Sequence, residues 1–246
     1  LLEDRIRQYW ANRVLYTWGT YEEMRKLRYE APRDYMLEVF EFDKFRNMSV
    51  LELGCGGGID AAEFARNGAI VTATDFTEEA IDTTMMLAEG LGLNIGTRVA
   101  DACNLPFEDD LFDHIHAFGV LHHIPDAEKA VREAHRVLKK GGTIYAMLYH
   151  RHSLLYYLSI IFMRGILQEN LKLLSENELL SRFSEAKNGC PYTKAHTQRE
   201  ALNLFRLFPT TRIGVHYNVF DLPMQRKIKF DGPSHLGWHL VVKARK

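Results

Sequence analysis

The chain has 246 residues, enough for one large domain or one domain with an appendage, and 46% of them are apolar, ample for a buried core. Its formal net charge is −1 with no long basic run, which argues against a nucleic-acid backbone as the main partner and favours a small molecule. Three cysteines, Cys55, Cys103 and Cys190, are too few and too irregularly spaced for a disulfide framework or a zinc cluster. The start, LLEDRIRQYW, lacks signal-peptide architecture, so the expectation is a cytoplasmic protein whose native first residues precede Leu1.

Residues 1–45 read as a helical leader in which Tyr9, Trp10, Tyr16, Trp18, Tyr21, Tyr29 and Tyr35 alternate with charged side chains. Such a segment serves as a lid, or its rings simply anchor it to the core. Over residues 46–150 short apolar runs alternate with helical stretches, the pattern of parallel strands joined by right-handed crossovers. Strands are predicted at residues 49–53, 70–74, 97–100, 112–118 and 143–149. Thr77 is expected to cap a helix stopped by Gly90, and Asp126 to cap one ending at Lys139, Lys140 and Gly141. A helical cap follows over residues 151–190, containing the all-round apolar run LLYYLSIIFM, which is about half the length needed to cross a bilayer. Its covering is expected to be protein. A loop around Tyr192, a helix at 199–208 and strands near 211–219 and 238–243 complete the sheet over residues 191–246.

VLELGCGGG, from Val50 to Gly58, is a strand ending in an acid and breaking into a glycine-dense turn, with a second acid, Asp75, closing the next strand. Glycines stand where the backbone must bend sharply or approach a ligand more closely than a Cβ permits. Counting the dinucleotide pattern from Gly54 gives Gly56 and then Ile59 in place of the third glycine, so a nicotinamide enzyme is disfavoured. The ordered set of Glu52, the G-x-G-x-G turn, Asp75 and Asp101-Ala102, together with DACNLPFEDDLFDHIHAFGVLHHIPDAEKAVREAHRVLKKGG, resembles the class I S-adenosylmethionine-dependent methyltransferases of the ubiquinone/menaquinone type.

That resemblance implies an α/β fold, a Rossmann-like seven-stranded, mostly parallel sheet sandwiched by helices with a helical cap. It implies S-adenosylmethionine as cofactor and S-adenosylhomocysteine as product. By the same resemblance Gly54, Cys55 and Gly56 lie against the methionine part, with Glu52 available to its ammonium. Asp75 would take the ribose diol, Phe76 the adenine face, Asp101 and Ala102 the adenine edge, and Phe118 and Gly119 the sulfonium.

Methyl transfer from a sulfonium is an in-line displacement in which the protein mainly positions the nucleophile and excludes water. A base helps a hydroxyl or protonated amine, and His123, with His122 second, is expected to supply it at the sheet edge. Acceptor walls are expected from Tyr29 and Trp18 of the leader, from Tyr149 and His150, and from Tyr192. No metal is expected, because no acid cluster joins His114, His116, His122 and His123. The reaction expected is methylation of an O, N or C atom of a small, partly hydrophobic acceptor. The alternative is a cofactor-binding cyclase, isomerase or regulatory module that has lost methyl transfer, and a homodimer is left open.

Overall fold

The computed structural model describes residues 1–14, 19–30, 33–185, 189–217, 219–221, 227–229 and 234–246. The leader supplies α1 (Leu2–Ala11), α2 (Tyr21–Tyr29), α3 (Tyr35–Phe40) and a 3-10 turn at Phe42–Phe45. The alternating core follows as β1 (Ser49–Leu53), α4 (Ile59–Arg66), β2 (Ile70–Asp75), α5 (Glu78–Leu91), β3 (Ile95–Val99), β4 (Phe112–Phe118), α6 (Ala127–Val137) and β5 (Leu138–His150). Next come a π-helix at Leu155–Leu167, a 3-10 turn at Asn170–Lys172, α7 (Glu176–Phe183), β6 (Ala195–His196), α8 (Gln198–Leu204) and β7 (Thr210–His216). A hairpin of β8 (Val219–Asp221) and β9 (Lys227–Lys229) precedes β10 (His239–Arg245).

The strands order as β3-β2-β1-β4-β5-β10-β7, with the two-residue β6 added beside the end of β5. Strands β3, β2, β1, β4 and β5 are parallel and β10 is antiparallel to both its neighbours, so the expected seven-stranded Rossmann-like sheet is present with one short extra strand. Order reverses at β1, where chain crossovers leave in opposite directions and a crevice opens at the strand ends. One apolar layer, including Leu51, Ile115, Val137 and Phe205, packs between the sheet and α6 with α8. The other, including Phe40, Phe45, Phe64 and Val71, packs α3, α4 and the leader on the opposite face.

Several local expectations are corrected. The Thr77 hydroxyl donates to Asp75 Oδ1 instead of capping α5, and the helix runs through Gly90 to the left-handed Gly92. Lys139, Lys140 and Gly141 do not end α6 but belong to β5, whose register against β4 shifts between Phe112 and His114. Gly141, with φ +81°, supplies the turn of backbone at that bulge. Helix α8 closes at Leu204, short of the expected 208. The apolar run of the cap is covered on one face only: Tyr156 and Ile160 are buried, whereas Tyr157 and Phe162 are exposed. Among the described residues no helix is long and apolar enough to cross a membrane. His114 and His116 are fully buried, the first stacked on Phe45 and bonded to Thr143 Oγ1, the second bonded to Asp60.

Candidate active site

Parallel strands bring the ends of β1, β2 and β4 to one edge, and the glycine turn lies there. Gly54 and Gly56 have φ of +67° and +53°, a region that L side chains rarely adopt. A Cβ on Gly54 would collide with Val120, whereas one on Gly56 would meet no atom within 4 Å. Gly54 is thus required by the protein's own packing, and Gly56 faces open space. Asp75 ties the turn to β2: its Oδ2 accepts from Gly56 N at 3.1 Å and its Oδ1 from Thr77 N at 3.0 Å. Burial pushes the Asp75 carboxyl up despite those hydrogen bonds.

Glu52 is the most demanding side chain of this edge. It is 3% exposed, its Oε2 has no hydrogen-bond partner, and burial pushes its carboxyl well above the ordinary range, with the charge of Asp60 adding to the effect. Asp60, at the start of α4, behaves oppositely. Burial would raise it, but the Arg28 guanidinium and His116 outweigh burial and hold it well below the usual range. Arg28 grips Asp60 with both fork nitrogens, Nε to Oδ1 at 2.9 Å and Nη2 to Oδ2 at 2.5 Å, and lies 5.0 Å from the Phe118 ring centroid. A buried carboxyl with one oxygen lacking a partner near an open glycine turn can accept from a cationic group, and these acceptors, with the room at Gly56, fit the ammonium, diol and close backbone approach of S-adenosylmethionine.

The other expected cofactor positions are distributed along the same edge. Cys55 is buried with its thiol pushed up by burial and accepts from the Thr84 hydroxyl, so it is a small packed side chain. Phe76 carries the Arg7 guanidinium 3.7 Å above its ring, and Arg7 Nη1 also donates to the Phe76 carbonyl at 2.6 Å. Asp101 is exposed and accepts from Cys103 N at 2.8 Å, while Ala102 packs partly buried against the α6 layer. Phe118 stands 4.7 Å from Phe40, and Gly119 follows with φ +86°.

Beyond β4, His122 and His123 occupy one turn of 3-10 helix and are both buried. His122 Nδ1 donates to the Met147 carbonyl at 3.3 Å, leaving Nε2 with a lone pair and no partner. Burial pushes this ring well below its ordinary value. His123 differs: Nδ1 donates to the Tyr192 carbonyl at 3.2 Å and Nε2 faces Glu185 Oε1 at 3.5 Å. Burial opposes its protonation, yet the contacts to Cys190 and Glu185 outweigh burial and raise the ring to about 10. His123 thus has both ring nitrogens engaged, whereas His122 keeps a free lone pair on Nε2.

Tyr149 joins this group, donating its hydroxyl to Glu185 and lying 3.8 Å from the His122 centroid and 4.3 Å from Trp238. Glu185, from the end of the cap, escaped the sequence reading because nothing local marks an acid so far along the chain. It also corrects the premise that no acid joins these histidines: His122, His123 and Glu185 offer ligand-type atoms within 4.8 Å of one another. Two expected acceptor walls are corrected. Tyr29 is 2% exposed and donates to Asp60 at 2.5 Å, and His150 is buried with Nδ1 donating to Gly237 O at 2.9 Å, so both are anchors. Tyr192 is half-buried in its loop, and Trp18 lies outside the described residues. Arg28 was also missed, because nothing in the sequence brings it against α4.

Residues 51–146 match the methyltransferase domain family. That segment is similar to class I S-adenosylmethionine-dependent methyltransferase domains, and the fold around it is theirs. A ubiquinone biosynthesis O-methyltransferase of Coxiella burnetii is 33% identical over 112 residues, 46% of this chain and 48% of that protein. Methyltransferase GfsG of Streptomyces halstedii is 38% identical over 98 residues, 39% of this chain and 35% of that protein. The chain thus spans about half or less of the curated relatives it matches. A solved S-adenosylmethionine-dependent methyltransferase of Methanosarcina mazei shares the fold with a TM-score of 0.62 at 22% identity, over 85% of this chain and 96% of that one.

Proposed function

We propose that this protein methylates a hydroxyl oxygen of a small, partly hydrophobic acceptor. One juxtaposition carries the reading: the partnerless Oε2 of Glu52 and open Gly56 lie at the same sheet edge as the partnerless Nε2 of His122. Bound there, the cofactor supplies a methyl group already attached to a good leaving sulfur. Glu52 holds the ammonium, Arg28, itself fixed by Asp60, faces the carboxylate, and Asp75 accepts from the ribose diol. The Gly54–Gly56 backbone admits the chain of the methionine part. His122 Nε2 accepts the hydroxyl proton as the oxygen attacks, while the His123–Glu185 pair and Tyr149 fix the turn that presents it. Trp10, 4.8 Å from the His123 ring, shields the site from water and has to move for the acceptor to enter.

Oxygen is favoured over nitrogen because the turn after β4 is FGVLHH, with a neutral, buried imidazole as its free group, and the similar Coxiella protein is named an O-methyltransferase. The test is formation of S-adenosylhomocysteine with paired aromatic acceptors that differ only in carrying a hydroxyl or an amine. Turnover confined to the amine member of each pair would overturn the oxygen assignment. Absence of S-adenosylhomocysteine binding by calorimetry would overturn the cofactor assignments to Glu52 and Asp75.

A further inference from the structure

A hollow of about 560 Å³ lies beside the His122–His123 turn, lined by Leu121, Ile124, Tyr192, Lys194, His196 and Arg199 among others. None of Gly54, Gly56 or Asp75 borders it, so it is separate from the cofactor turn. Its volume falls within the range usual for small-molecule sites. Leu121, Ile124 and Leu204 supply apolar side chains to its wall.

The rim carries both signs of charge, but only the acids are engaged. Asp126 accepts from Lys129 N at 3.0 Å as the cap of α6, and Glu128 pairs with Arg206 at 3.1 Å. Glu200 accepts from Thr197 N at 2.8 Å and stands 3.7 Å from Arg151. By contrast, neither the Lys194 ammonium nor the Arg199 guanidinium has a side-chain partner among the described residues. His196 is 4% exposed, and its Nδ1 is buried without a hydrogen-bond partner. Two cations without side-chain partners beside apolar side chains fit a ligand with an anionic end and an apolar body.

We propose that this hollow is a second small-molecule site, taking an organic carboxylate with a ring-sized apolar body. Arg199 presents the planar fork suited to a carboxylate, Lys194 adds a point charge, and Tyr192 with the aliphatic side chains covers the body. The site is wired to the catalytic turn. The Tyr192 carbonyl accepts from His123 Nδ1, and Lys194 N donates to the His122 carbonyl at 2.9 Å. A ligand drawn onto Tyr192 and Lys194 therefore bears on the loop that holds both histidines.

The proposal goes beyond methyl transfer, and its test needs no turnover. Benzoate, its neutral isostere benzamide and inorganic phosphate are titrated against the whole chain by ligand-observed NMR, with S-adenosylhomocysteine affinity measured in parallel. Benzoate should saturate, with benzamide and phosphate each binding at least about tenfold more weakly. Lys194→Met and Arg199→Met should each weaken benzoate about tenfold and leave S-adenosylhomocysteine binding unchanged. Equal binding of benzamide, equal binding of phosphate, no saturable benzoate binding, or variants that hold benzoate as well as the parent would each overturn the site. Loss of S-adenosylhomocysteine binding in the parent chain would strike the cofactor reading instead and leave this one standing.

Discussion

Binding of S-adenosylhomocysteine is expected to expel a proton from Glu52. Every element packed around this carboxyl contributes a charged or titratable group: Asp60 from α4, Arg28 from α2, Asp75 from β2 and His116 from β4. Arg28 and His116 are already committed to Asp60 through hydrogen bonds, so Glu52 keeps one oxygen without a partner and holds its proton above the ordinary carboxylate range. An arriving ammonium reverses the balance, because the charged form then gains a partner in a poorly solvated place. Glu52→Gln keeps the shape and removes the charge, and losing a charge-assisted bond costs about 1.5–3 kcal/mol, or roughly 10- to 150-fold in Kd. The sign for folding runs the other way. A carboxyl raised in the folded state costs stability as pH rises through its raised value, so without ligand Glu52→Gln should be at least as stable as the parent at alkaline pH. Calorimetry in buffers of different ionisation enthalpy counts the protons released. Release approaching one per S-adenosylhomocysteine in the parent and sharply less in Glu52→Gln is expected between the ordinary and raised values. Buffer-independent heats in the parent, or equal release in the variant, would refute the assignment.

Four further outcomes follow from the same geometry. Gly56→Ala has room for its methyl group and meets only the strain of φ +53°, so it should lower stability by about 1 kcal/mol while weakening cofactor binding far more; equal effects on both, read by chemical unfolding and calorimetry, would place the ligand elsewhere. Asp75→Ala should weaken S-adenosylhomocysteine by about 1–3 kcal/mol in a folded protein, and unchanged calorimetric affinity would remove the diol assignment. His122→Ala should lower turnover roughly a hundredfold with cofactor affinity nearly intact, and by more than His123→Ala; the opposite ranking in steady-state assays would restore His123 as the base. Hydrogen exchange in α1 should slow when S-adenosylhomocysteine binds, and equal exchange with and without it would make the leader a fixed anchor.

The parts of the site legible in the sequence are those fixed by local backbone chemistry. An apolar strand, a turn that needs positive φ at Gly54 and Gly56 and an acid at the end of the next strand are all written within one crossover, and the structure joins turn to acid through the hydrogen bond from Gly56 N to Asp75. The seven long strands were legible for the same reason, except where Gly141 makes a bulge that reads as the end of a helix, whereas the short β6 and the β8–β9 hairpin were not expected. What depends on distant pairing was hidden. The sequence shows two adjacent histidines, but which one keeps a lone pair is decided by a carbonyl of β5, a carbonyl of the Tyr192 loop and the cap's Glu185. Likewise Tyr29 reads as an aromatic wall until α2 brings it and Arg28 onto Asp60, where both become supports of the cofactor edge.

Helix α1 links the two halves of the proposed reaction. Arg7 and Trp10 are three residues apart and so share one face of the helix, and the first covers Phe76 while the second covers His123. Neither half can be uncovered by a rigid movement of this helix without loosening the other. The helix is also weakly held, since Ile6 is its one buried residue, worth about 1.5–3 kcal/mol at most. A cover fastened so lightly opens far more easily than the sheet beneath it, which suits a site that must admit a cofactor and an acceptor and then exclude water. An adenine placed against Phe76, as the resemblance implies, would compete with Arg7 for the same ring face, and cofactor entry would then bear on the helix that carries Trp10. On the proposed function, access to the histidines would be coupled to occupancy of the cofactor edge through the ten residues of α1.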